Sequence, residues 1–158
     1  MDIAAEIRKD LADDWLPQIY QEKIRTQRTR SLRLDIAERE NAADIIYTLL
    51  GIELKVGKRR FACPELSTAR YMRIFARLGC REFAIPYDIT QIPSAADELE
   101  TAWQRTLLVL ADRTISRPSR SVSQVRAKLV RDIRSELADI GAGTAMPLFD
   151  RETKQRQN

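Results

Sequence analysis

Residues 51–88, GIELKVGKRRFACPELSTARYMRIFARLGCREFAIPYD, decide which fold class this sequence favours. From Gly51 to Val56 apolar residues alternate with charged ones, which is the period of a half-buried strand. Gly57 and Lys58 can form a two-residue turn with glycine first, and the returning strand ends at Pro64, which has no N–H to donate to a neighbouring strand. The stretch therefore begins with a predicted β-hairpin.

An amphipathic helix and a third strand are predicted after the hairpin. The apolar residues from Tyr71 to Leu78 recur at the spacing of one buried helix face, and Gly79 suits the left-handed end of such a helix. Residues 83–87 then alternate around a proline that favours a sheet edge. We therefore predict a helix-rich α+β domain in which a small three-stranded sheet, formed as β-hairpin–helix–strand by residues 51–88, is packed by amphipathic helices.

Helical patterns flank this unit on both sides. They predict helices over residues 2–14, from Pro17 onward, and over 31–50, 94–112 and 122–140. The acids at 97–100 suit the first turn of their helix, where the helix dipole favours negative charge. A chain of 158 residues is long enough for one core. We expect a single globular domain over 1–141 and a flexible tail of low hydrophobicity over 142–158.

The composition excludes several kinds of chemistry. The sequence contains no histidine, which excludes Ser-His-Asp and Cys-His catalytic systems and histidine metal sites. The glycine patterns of the common nucleotide-binding loops are also missing. No apolar run approaches the ~18 residues of a membrane span, and the first residues do not resemble a secretory signal. We expect a cytoplasmic protein without cofactor or metal, in which Cys63 and Cys80 are reduced and buried.

Arginine dominates the positive charge. The formal net charge is +4, and 21 of the 27 basic residues are arginines, whose planar fork suits phosphate and carboxylate. The basic residues selected as a nucleic-acid-binding face are Lys58, Arg59, Arg60, Arg70, Arg73 and Arg77, with Arg28 and Arg30 from a basic run over 23–33. We predict a nucleic-acid-binding protein, not an enzyme, that contacts phosphate through this face. The same residues could instead pair with the 23 acids of the chain.

Two other binding interpretations stay open. Three helices ahead of a basic hairpin fit a winged-helix layout, although the helix over 31–50 exposes as many acids as bases. A protein–protein adaptor is the second, with a partner bound by the narrow apolar stripe of helix 122–140 or by the tail at 145–150. That tail segment, AMPLFD, resembles the short motifs by which bacterial proteins bind the DNA sliding clamp, without their leading glutamine.

Glu53-Leu54-Lys55 supports an enzymatic alternative. Alternation places Glu53 and Lys55 on one side of the predicted strand. The tripeptide resembles the E-x-K element of the PD-(D/E)xK nucleases, in which a strand presents a metal-binding acid and a lysine while the preceding strand adds a further acid. The nearest upstream acid, Asp44, falls in the predicted helix over 31–50, so this sequence departs from the family pattern there. The simpler interpretation of Glu53 is a cross-strand ion pair, for example with Arg60.

Overall fold

Helices and strands divide the chain into a central β-rich part and two helical flanks. The structure, a computed structural model, describes residues 2–142. Its α-helices are α1 (Ile3–Leu11), α2 (Leu16–Ile19), α3 (Leu66–Leu78), α4 (Ile92–Arg113) and α5 (Ser119–Ile140), with a π-helical turn at Tyr20–Ile24 and 3-10 turns at Ala12–Asp14 and Ile89–Gln91. Its strands are β1 (Thr29–Arg33), β2 (Ala43–Thr48), β3 (Gly51–Val56), β4 (Arg59–Cys63) and β5 (Glu82–Pro86). The predicted helix-rich α+β class is confirmed.

The described strands form two antiparallel sheets instead of one. β2, β3 and β4 make a three-stranded meander, and β1 pairs with β5 in a separate two-stranded sheet. The predicted hairpin is therefore present, but the prediction that residues 83–87 join its sheet is wrong. The third strand of the meander is β2, which comes before the hairpin in the chain.

The helix predicted over 31–50 is wrong. This segment contains the end of β1, an irregular connection and β2. Ala43, Ile45 and Tyr47 alternate with residues of the opposite face, and this period of two, with β-branched residues, favours a strand. The helical spacing that suggested otherwise combined residues from two different strands and the connection between them.

Two tyrosine hydroxyls explain why β5 pairs with no strand other than β1 among residues 2–142. The hydroxyl of Tyr71 donates to the carbonyl oxygen of Ala84 at 2.5 Å, and the N–H of Ala84 donates to the hydroxyl of Tyr20 at 2.8 Å. The Tyr20 hydroxyl in turn donates to the carbonyl oxygen of Gly141 at 3.0 Å. Side chains from α3 and from the π-helical turn thus satisfy the middle of β5, where another strand would otherwise bond.

The core forms where α3 packs between the sheets and the long helices. Phe75 of α3 stacks on Phe83 of β5 with ring centroids 4.2 Å apart, and Tyr20 and Tyr71 pack around them. Gly79 ends α3 with φ of 78°, and a side chain there would collide with the backbone of Arg39. This close approach fixes the connection that leads into β2.

The apolar stripe of α5 is part of this core. Leu129, Val130, Ile133 and Leu137 are all buried against the remainder of the domain. The helix therefore covers the core with this stripe, whereas the adaptor interpretation assigned the stripe to a partner protein. The predicted tail beyond residue 142, including the segment 145–150, lies outside the described residues. No helix within residues 2–142 is long and apolar enough to cross a membrane.

Candidate functional site

Three of the arginines predicted to bind nucleic acid, Arg70, Arg73 and Arg77, follow one another at steps of three and four residues on α3 and form the α3 stripe. Arg70 donates to Asp97 at 2.5 Å and to one oxygen of Glu100, and Arg73 donates to the other oxygen of Glu100 at 3.0 Å. Only 26% and 24% of these two arginine side chains are exposed. The hydrogen bonds to Glu100 and Asp97 raise the pKa of Arg70. These two arginines therefore join α3 to α4.

Arg77, the third arginine of the stripe, has a different environment. Its guanidinium donates to the carbonyl oxygen of Ala43 at 3.2 Å, at the start of β2, and it makes no ion pair with a carboxylate among residues 2–142. Burial, and then the neighbouring charge of Arg73, lower its pKa, while Asp44 and Glu100 act in the opposite direction. Its positive charge is therefore only partly compensated within the described part of the chain.

The basic residues at the β3–β4 turn are more exposed. Arg59 pairs with Asp35 at 2.8 Å, with 57% and 78% of the two side chains exposed, and Lys58 is exposed beside it. Arg60 pairs with Glu53 at 3.2 Å, which is the cross-strand pair predicted from the sequence. Ion pairs this open to water contribute about 0–1 kcal/mol each. A phosphate could therefore replace these carboxylates at low energetic cost.

Arg30 belongs to the other sheet, and Arg28 directly precedes its first strand, β1. The Arg28 guanidinium lies 4.2 Å from the centre of the Tyr87 ring, and Arg30 is exposed on β1 opposite Ile85. The structure therefore does not bring these two residues into one sheet with the basic β3–β4 turn.

The outer face of the β2–β3–β4 sheet carries the group of side chains that is best suited to catalysis. Asp44 of β2 lies directly opposite Lys55 of β3, and Lys55 lies opposite Arg60 of β4. Residues opposite one another in antiparallel strands point to the same face, and so do residues two apart in one strand. Glu53 therefore shares this face with all three, while the buried Leu54 points towards the core. Two carboxylates and two cations converge on a face open to solvent.

Sequence reasoning missed Asp44 because it assigned that residue to a helix. The signal that could have found it is the period-two pattern over 43–47, which is followed by a short turn at 49–50 and then by β3. With Asp44 on the neighbouring strand, the acid that the E-x-K resemblance required is present.

The two carboxylates fit a divalent ion of the hard, oxygen-preferring kind. Asp44 and Glu53 are diagonal neighbours across β2 and β3, a relation that separates their side-chain bases by about 7 Å. Mg²⁺ is commonly held by one or two carboxylates together with water and substrate phosphate. Residues 2–142 contain no group of three or more Cys, Asp or Glu side chains placed to hold a metal, so any ion here would depend on those additional ligands.

The cysteines offer no second reactive centre. Both are free and buried, as predicted. Burial raises the pKa of Cys80 to about 12, and burial also raises that of Cys63. At neutral pH both remain thiols, and a thiol is a much weaker nucleophile than a thiolate.

Comparison with known proteins identifies no relative of this chain. The chain matches no protein-family model, no curated protein and no solved structure. The function of the chain is therefore inferred from the geometry of its own residues.

Proposed function

We propose that this protein binds nucleic acid at the outer face of the β2–β3–β4 sheet and cleaves it there with the help of a divalent metal ion. The observation that carries the proposal is the register of β2 and β3, in which Asp44 is opposite Lys55 and shares its face with Glu53. Because the face is open, a strand of nucleic acid could approach it without displacing another element.

Each residue has a role that follows from its chemistry. Asp44 and Glu53 would hold the metal. When bound, such an ion would polarise the phosphate and make a coordinated water easier to deprotonate. Lys55 would stabilise the negative charge that develops on the phosphate during cleavage. Arg60, in the same row, would orient a neighbouring phosphate through its planar fork.

The basic β3–β4 turn lies at one end of this sheet and offers further positive charge, although Arg59 alternates to the face opposite that of Arg60. Lys58 and Arg59 lie at one end of the sheet whose outer face carries Asp44 and Lys55. Their exposure suits contacts with backbone phosphates, which position a nucleic acid without reading its sequence. Such contacts predict binding that weakens steeply with salt.

The deciding experiment measures cleavage of labelled single-stranded and double-stranded DNA and RNA with Mg²⁺, with Mn²⁺ and with EDTA. We expect cleavage that requires the metal and falls to background in Asp44→Asn and in Glu53→Gln. Lys55→Met should retain binding and lower the cleavage rate by about 100-fold. The matched control is Asp139→Asn, which removes one exposed negative charge from α5, far along the chain from the site.

Equal cleavage by the wild type and by Asp44→Asn would show that the activity belongs to a contaminant. Absence of cleavage on all four substrates, by protein that unfolds cooperatively, would reject the nuclease proposal.

The second candidate is nucleic-acid binding without cleavage, through the arginine-rich face. The observation in its favour is that Glu53 is already paired with Arg60. In this candidate, the charged side chains of the sheet pair with one another or with the phosphates of the ligand and hold no metal. The same substrates distinguish the two candidates. Salt-dependent binding that neither needs metal nor leads to cleavage would favour the second.

A further inference from the structure

A cleft beside β2 contains the one arginine of the α3 stripe that has no carboxylate partner among the described residues. The cleft has a volume of about 500 Å³. Its lining includes Asn41 and Ala42, which lead into β2, together with Arg77, Trp103 and Arg126. It therefore lies beside the start of β2, the edge strand of the sheet whose outer face we propose as the cleavage surface.

The two arginines of the cleft differ in their hydrogen-bond partners. Among the described residues, the Arg77 side chain donates only to the backbone carbonyl of Ala43, and it is half-buried. Arg126 forms a two-oxygen ion pair with Glu40, with donor–acceptor distances of 2.5 and 3.0 Å, and its guanidinium lies 5.8 Å from the centre of the Trp103 ring. A partly buried cation whose charge is only partly compensated by nearby carboxylates favours an anionic ligand.

We propose that this cleft is a phosphate-binding subsite in which Arg77 and Arg126 hold one phosphate group of the nucleic-acid strand. Glu40 takes the place of the phosphate on Arg126 when the cleft is empty. The planar forks of two arginines match phosphate geometry, and the volume accommodates a phosphate with part of its nucleotide. The assignment to nucleic acid depends on the proposed function, whereas the phosphate site itself does not.

Glu40 makes the proposal testable in two directions. Because it competes with the ligand for Arg126, Glu40→Gln should bind phosphate more tightly than the wild type. Arg77→Gln should bind it about tenfold more weakly, since one charge-assisted contact is lost. Arg131→Gln, on an exposed position of α5, removes the same charge outside the cleft and should leave the affinity unchanged.

The measurement is calorimetric titration of the full chain, in EDTA, with inorganic phosphate, with a 5′-mononucleotide and with a short oligonucleotide. Circular dichroism and thermal unfolding establish that each variant is folded, and Arg126→Gln replaces Arg77→Gln if the latter is not. Opposite shifts in Glu40→Gln and Arg77→Gln, with displacement of phosphate by the oligonucleotide, are the expected result.

Unchanged phosphate affinity in both variants, or no phosphate binding by the wild type, would overturn the subsite. Phosphate binding that the oligonucleotide does not displace would overturn its assignment to nucleic acid. Because EDTA removes any metal, neither outcome bears on cleavage, which the Asp44→Asn variant tests separately.

Discussion

The β1–β5 sheet and the β2–β3–β4 sheet differ in what covers them. In β5 the four residues from Phe83 to Pro86 are buried, and the hydroxyls of Tyr20 and Tyr71 bond the backbone of Ala84. The meander packs one face on α3 and leaves the other in solvent. The comparison shows that the first sheet is completed by the core, whereas the outer face of the second carries polar side chains that are open to solvent.

The arginines differ in the same respect, since some are covered by neighbouring helices and others are open to solvent. Arg70 and Arg73 are mostly covered and share the carboxylates of α4, whereas Arg59 is more than half exposed in a pair with Asp35. Residues of identical chemistry therefore serve two purposes, one in holding helices together and one on the surface. Substitutions that affect stability in one group and binding in the other can test this division.

The largest effect is expected from Tyr20→Phe. Removing the hydroxyl leaves the buried N–H of Ala84 without its acceptor and breaks the bond to Gly141. An orphaned buried donor costs about 1–3 kcal/mol, so the free energy of unfolding should fall by that amount. Urea denaturation with an unchanged m-value provides the measurement.

Tyr87→Phe is the matched control for this substitution, because 46% of Tyr87 is exposed. Its stability should equal that of the wild type. An equally small effect in Tyr20→Phe would contradict the idea that tyrosine hydroxyls close the second edge of β5.

A smaller loss is expected from Glu100→Gln. Both oxygens of Glu100 accept from arginines, and neutralising it leaves the partly buried Arg70 and Arg73 with less compensation. Partial exposure weakens the effect, which should be roughly 1–2 kcal/mol in the free energy of unfolding. Glu98→Gln tests the comparison, because the Glu98 pair with Lys23 is long, at 4.0 Å, and exposed. Similar losses in both variants would show that the ion pairs between α3 and α4 contribute no more to the free energy of unfolding than an exposed pair does.

Local patterns were sufficient to predict the hairpin and α3. A period of two over 51–56, a glycine turn and a row of apolar residues ending at Gly79 are each determined by neighbours in the sequence. The structure agrees with them because side-chain period and turn chemistry act over a few residues. The helix-rich α+β class follows from the same information.

Long-range pairing was not predictable from these patterns. β5 pairs with β1, about fifty residues earlier in the sequence, as in the Leu32–Phe83 register. Nothing in residues 83–87 distinguishes this partner from the adjacent hairpin. Likewise, Arg70 meets its acids 27 and 30 residues later, and charge alone does not choose between a carboxylate of the same chain and a phosphate.

Recognising the candidate site depended on the secondary structure of one segment, residues 43–47. Once residues 43–47 are a strand, the antiparallel pairing places Asp44 opposite Lys55 and the remaining geometry follows. The segment was assigned to a helix because apolar residues on both sides of the β1–β2 connection happen to fall at helical spacing. Tertiary pairing with β3 decides between the two, and a pattern within one segment does not contain that information.

The smallest effect on stability, and the sharpest test of the comparison, is expected from Arg59→Gln. An exposed pair contributes at most about 1 kcal/mol, so the unfolding midpoint should stay close to that of the wild type. If Arg59 contacts phosphate, the variant should bind nucleic acid more weakly, and the slope of log K against log salt should fall by about 0.7–0.9. Arg70→Gln should do the reverse, losing stability while keeping the salt slope, because its guanidinium already bonds Asp97 and Glu100. Asp35→Asn controls for loss of the Arg59 pair itself and should change neither quantity appreciably. If Arg70→Gln, still folded, lowered the slope and Arg59→Gln did not, the phosphate-contacting arginines would be those of α3, and the division between the two groups would be reversed.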